Sequence, residues 1–150
     1  MKDYIETIMS REDSLDRYLD GQRFGYDYAL PEIIGGRKTG HWIWYVFPQM
    51  KGLGHSPNST YYGISSIEEA RAYLEHPVLG ERLREITGEL LRHSGKDAVD
   101  ILGPVDAMKV RSCMTLFDIV SPGDVFSQVL EMFYDGRRCA RTIAMITERK

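Results

Sequence analysis

The sequence predicts a mainly α-helical fold: a compact single domain spanning residues 1–150, with its core over 14–146. Three observations carry that expectation. Apolar residues recur at three- and four-residue spacings, as the 3.6-residue helical period requires. Capping residues and glycine or proline stops punctuate these runs. No internal repeat, low-complexity stretch or long linker divides the chain, so about six to eight short-to-medium helices in a compact array, with little or no sheet, are expected.

Taken in order, Asp13 or Ser14 caps a first helix that puts Leu15, Tyr18, Leu19 and Gln22 on one side. A second helix over 26–34 contains Pro31, which must kink it or mark its first turn, and Gly35-Gly36 ends it. The apolar run over 41–48 is short enough to be a strand. Ser65-Ser66 followed by Glu68-Glu69 reads as a capping box, starting a helix that runs through Glu75 and stops at His76-Pro77. Leu79, Leu83, Ile86 and Leu90 define the clearest amphipathic helix, with Glu81, Arg82, Arg84 and Glu89 outside. A long helix covers 104–120. Val125, Phe126, Val129, Leu130 and Phe133 form another stripe closed by Asp135-Gly136, and a last short helix covers 140–146.

Composition narrows the function classes. Hydrophobic residues are 43% of the chain and charged residues 27%, the balance of a packed domain rather than a disordered one. No apolar run reaches the length of a membrane span, and the amino-terminal segment is charged rather than signal-like, so the expectation is a cytoplasmic protein without membrane association. A net charge of −3 makes nucleic acid an unlikely partner. Arg137, Arg138, Arg141, Arg149 and Lys150 make the carboxy-terminal end locally basic, as a solvated face or a helix end is. His41, His55, His76 and His93 are scattered, and Cys113 and Cys139 stand apart as free thiols, so neither metal nor cofactor is expected. No nucleophile elbow is present, and Ser94-Gly95-Lys96 lacks P-loop spacing.

Two segments point to chemistry. In Pro104–Val120, Val110, Cys113, Met114, Leu116, Phe117 and Val120 occupy most of the helical circumference, Arg111 and Asp118 form a narrow polar stripe, and Asp106 and Lys109 fall within the apolar arc. Such a helix is central, so its charges must pair with each other, pair with a third group, or face a polar cavity. The plainer alternative places Asp106 in the first turn, against the helix dipole, with Lys109 reaching to the surface.

The second segment, His41-Trp42-Ile43-Trp44-Tyr45-Val46-Phe47-Pro48, holds both tryptophans and leads into Gln49, Lys51, Gly52, Gly54, His55 and Ser56. Its rings serve either as core or as a ligand platform, and the glycine loop lets backbone amides approach an anion.

At these residues the chain resembles a known family. His41-Trp42-Ile43-Trp44 through Phe47-Pro48-Gln49, Gly52-Leu53-Gly54, Tyr62-Gly63-Ile64, His76-Pro77-Val78-Leu79-Gly80, and Lys109 with Met114-Thr115-Leu116-Phe117 resemble the bacterial domain-of-unknown-function 1810 family. The resemblance runs from about Leu15 to Ile146. It implies a compact helical domain and supplies no activity. Pro31 and Cys113 depart from the family pattern, at an uninterrupted helix and a frequent serine respectively. The calpastatin label sometimes attached to the family denotes a disordered, repeat-bearing inhibitor, which this composition contradicts.

A fainter likeness links Asp106, Lys109 and Met114 to a helix of the NAD- and ADP-ribose-associated family, which includes N-glycosidases. It implies a nucleotide or ADP-ribose-like ligand, with Asp106 facing an oxocarbenium-like transition state and Lys109 holding a phosphate or ribose oxygen. Trp42, Trp44 and Tyr45 would stack a base, with His41 and Gln49 beside them, while Lys51, Gly52, Gly54, His55 and Ser56 meet phosphate. The partner expected is therefore a small phosphorylated ligand. The competing reading is a non-catalytic interaction domain whose aromatic cluster is core; oligomeric state stays open.

Overall fold

The computed structural model describes the backbone of residues 2–149 and the side chains of residues 15–149. Nine α-helices and a short 3-10 turn are formed among them, and no strand. They are α1 (Lys2–Ile34), α2 (Ile43–Val46), α3 (Pro57–Tyr61), α4 (Ile67–Glu75), α5 (Leu79–Leu90), α6 (Ala98–Leu102), α7 (Pro104–Val120), α8 (Val125–Tyr134) and α9 (Ala140–Glu148). The mainly helical expectation holds. The helix number exceeds it because α2, α3 and α6 have only 4, 5 and 5 residues, too few to display a period.

The two expected amino-terminal helices are one. Helix α1 runs unbroken through residues 13 and 14, so no helix begins there; the side chains of Asp13 and Ser14, the expected caps, lie outside the described residues, and the helix continues across Pro31 to Ile34. Pro31 is exposed, and so is Asp27, the residue whose carbonyl a proline four positions on leaves without an amide partner. The chain then turns at Gly36, whose φ of +78° suits a residue without a β-carbon. The expected buried face is present: Tyr18 and Gln22 are buried, with Leu15 and Leu19 packed against the core.

The apolar run after α1 folds as the single turn α2 instead of a strand. An isolated parallel bridge between Met50 and Ile64 is the local extended pairing, with Lys51 N donating to Ile64 O at 2.8 Å and Ile64 N to Gln49 O at 2.9 Å. The capping box is realised in a shifted form. Ser66 Oγ accepts from Glu69 N at 3.1 Å, while Glu69 Oε1 accepts from the amide of Ser65 at 3.1 Å.

Helix α7 packs against α4, α6, α8 and α9, and so runs through the centre as its apolar circumference predicts. Val110, Cys113, Met114, Leu116 and Phe117 are wholly buried there. Phe117 joins Tyr73 and Phe126 at ring-centroid distances of 5.5 and 5.7 Å. Among the described residues, no helix is long and apolar enough to cross a membrane.

Candidate functional site

The charged pair within α7 is resolved by all three routes open to it. Asp106 lies in the first turn of α7, and its Oδ2 accepts an ion pair from Lys38 Nζ at 2.8 Å. Its Oδ1 faces Lys109 Nζ at 3.5 Å, and the Lys109 side chain in turn lines a cavity. Each ammonium also sits over an indole, Lys38 at 4.9 Å from Trp42 and Lys109 at 5.2 Å from Trp44. Cation–π contact offsets part of the desolvation that a second lysine around one carboxylate incurs. The sequence expectation did not include Lys38. Its position is set by the turn after α1, where its amide donates to Ile101 O at 2.7 Å and its ammonium to Gly40 O.

The same turn is held by Glu32, whose Oε1 accepts from Thr39 N at 2.6 Å, Gly40 N at 2.8 Å and Trp42 Nε1 at 3.0 Å. Partial burial raises the Glu32 pKa, but these donors outweigh it and hold the carboxyl below its ordinary value.

The cavity, of about 230 Å³, opens between the amino-terminal half of α7, the segment after α2, and the start of α9. Lys109, Arg111 and Ser112 come from α7, Gln49, Leu53 and Gly54 from the segment, and Cys139 and Arg141 from the start of α9. Val105 and Met108, 64% and 71% exposed, form its apolar rim. Three cations and no acidic side chain occur among its described lining residues. Arg111 is committed in part, donating through Nε to Arg137 O at 2.7 Å and through Nη2 to Arg138 O at 2.8 Å. A smaller space of about 10 Å³ adjoins, sharing Gln49 and Lys109 and bounded by Trp44, Ser59 and Tyr62. The buried Trp44 Nε1 has no hydrogen-bond partner.

Cys139 occupies the N-cap of α9, and its amide donates to Thr115 Oγ1 at 2.9 Å. Ser112 Oγ lies 3.4 Å from the sulfur and can donate to it. The Thr142 hydroxyl faces the sulfur as well, without full hydrogen-bond geometry. Burial pushes the Cys139 thiol up, yet these hydroxyls and the amides of Arg141 and Thr142 more than reverse the effect and leave it below the usual thiol value. Cys113, wholly buried in α7, is pushed well above it by desolvation.

The structure divides the residues that the sequence groups together. Gln49, Gly54 and Lys109 meet in the cavity, and Trp44 borders the space beside it. Trp42 is in the core, 2% exposed and packed 6.2 Å from Phe47, so its ring has no open face for a base. Tyr45 lies over Gly21 and Gly25 of α1. Ser56 caps α3, accepting from Ser59 N at 3.1 Å. His41, Lys51, Gly52 and His55 border neither space; Gly52 adjoins Arg149, which donates to Lys51 O at 2.6 Å. Asp106 is not among the cavity-lining residues either. No cluster of three or more metal-ligating side chains occurs among the described residues. Cys139 and Arg141, which the sequence pattern leaves outside the candidate site, also line the cavity, although a helix beginning at residue 140 already puts Cys139 at its cap.

A family model described as "Protein of unknown function (DUF1810)" matches residues 12–146. The chain belongs to this family. Among solved structures, the DUF1810 chain resembles the crystal structure at 1.38 Å of the conserved hypothetical protein Rv1873 from Mycobacterium tuberculosis. The two share 43% identity over 90% of this chain and 97% of the other, with a TM-score of 0.88. No curated protein matches the DUF1810 chain.

Proposed function

We propose that this DUF1810 domain binds a small phosphorylated ligand in the cavity between α7, the segment at Gln49 and Gly54, and the start of α9. The observation that carries the reading is the convergence of Lys109, Arg111 and Arg141 on one space without a described acidic wall. Guanidinium and ammonium groups at the mouth of a concave, partly apolar site are what recognition of a phosphate demands. Its volume, about 230 Å³, lies below the roughly 300–1,000 Å³ of drug-sized pockets, which favours a sugar phosphate or the phosphoribosyl end of a nucleotide over a whole dinucleotide. Hydrolysis is not part of the proposal. The carboxylate it needs, Asp106, is shared by two ammonium groups and does not border the cavity.

Thermal denaturation with inorganic phosphate, sugar phosphates, nucleotides and ADP-ribose tests the reading. A ligand at 100 times its Kd adds about 2.7 kcal/mol, which for a domain of this size raises Tm by roughly 5–10 °C. Lys109→Ala and Arg141→Ala should remove the shift while leaving the unliganded protein folded. A shift unchanged by both substitutions, or none across the panel, overturns the proposal.

The second reading, an interaction domain, has its own observation: Phe24 and Tyr28 stand one turn apart on α1 with 70% and 69% of their surfaces exposed. An unshifted Tm together with partner binding lost in Phe24→Ser would favour it.

A further inference from the structure

We infer that Cys139 is a nucleophilic modification site, and that the cationic cavity delivers to it small alkyl electrophiles carrying a carboxylate or phosphate. The inference rests on the anion-binding reading of the same cavity and assigns it a reacting atom. Cys139 is half-buried and borders the cavity together with Lys109, Arg111 and Arg141, so an anionic group held by the cations lies within the same small space as the sulfur.

Two further features single out the sulfur. Thr142 is wholly buried in the first turn of α9, near Cys139, and its hydroxyl has no hydrogen-bond partner, a spare donor beside the sulfur. Ser112 Oγ lies 3.1 Å from Met108 O and 3.4 Å from Cys139 Sγ, and one hydroxyl proton serves only one of them. With a neutral thiol, S–H donates to Ser112 and Ser112 to Met108; with a thiolate, Ser112 turns its proton to the sulfur. The site therefore holds the Ser112 hydroxyl ready for the charged form, besides the amides that open α9. Cys113, sealed in the core, cannot compete.

The step is a substitution without redox change. The thiol proton passes to solvent, the sulfur lone pair forms an S–C bond, and the carbon–leaving-group bond breaks with its electron pair going to the leaving group.

Iodoacetate and iodoacetamide probe this directly, because they place the same leaving group on an anionic and a neutral reagent. Labelling of the intact protein, followed by mass and peptide mapping, should place carboxymethylation on Cys139. Iodoacetate should react on the order of tenfold faster than iodoacetamide, the lower end of what a focused field contributes to association. Inorganic phosphate should slow iodoacetate and leave iodoacetamide less affected, and Arg141→Ala should abolish the preference. Faster labelling by iodoacetamide in the unaltered protein, or an iodoacetate rate indifferent to both phosphate and Arg141→Ala, overturns the inference. The phosphate-induced Tm shift of Cys139→Ser separates the two ideas: if it persists while anion preference is missing, the thiol assignment fails and the binding site stands.

Discussion

Glu32 gathers three donors from the turn that follows α1, and through Trp42 Nε1 it ties that turn to the core. Because its folded pKa is depressed, its stabilising contribution is present above the unfolded value of 4.5 and is lost as pH falls through the lower folded value. Glu32→Gln, which keeps one acceptor but removes the charge, should cost about 1 kcal/mol at neutral pH, the usual scale for charge-assisted hydrogen bonds discounted for partial exposure. Urea denaturation across pH should show the unaltered protein losing its advantage over the variant below pH 4.5. A difference independent of pH would mean that the carboxylate charge contributes nothing there. The turn also carries Lys38, so this carboxylate supports the partner of Asp106.

Helices differ in how much of their reason for existing lies within their own residues. Helix α5 is readable because Leu79, Leu83, Ile86 and Leu90 supply a complete buried stripe. The continuity of α1 is not, since Gly21 and Gly25 look like weak points until the ring of Tyr45 is seen against them. A β-carbon on Gly21 would lie 2.7 Å from Tyr45 Cγ, so the glycine is the condition for α2 to dock. Helix propensity alone would make Gly21→Ala stabilising by about 0.8–1 kcal/mol. The clash should reverse the sign and leave a net loss of about 1–2 kcal/mol. Guanidinium denaturation of Gly21→Ala alone and combined with Tyr45→Ala tests this: the alanine should be harmful with the ring present and beneficial without it. The site shows the same divide. Lys109 is visible as a charge in an apolar arc, whereas Arg141 and Cys139 acquire meaning only when α9 is laid beside α7, a contact that no spacing encodes.

For the whole molecule, α7 is the axis on which the packing depends. Phe117→Ala should cost about 3–5 kcal/mol, since it removes a wholly buried ring that touches aromatic neighbours from α4 and α8. Against a typical total of about 5–15 kcal/mol, that loss should lower the urea midpoint sharply; a shift of only a few tenths of a molar would mean that the core closes around the gap. The cavity stands in a different relation to the fold. Helix α9 is anchored by Thr142 and Ile146, both buried, and by the Arg149 contact to Lys51, while Arg141 is exposed and Cys139 only half-covered. Substitution at an exposed position such as Arg141 usually changes stability by no more than about 0.5 kcal/mol. Selection can therefore rewrite the charge that α9 lends to the cavity without renegotiating the core, so proteins sharing this scaffold are free to differ there while remaining nearly superimposable.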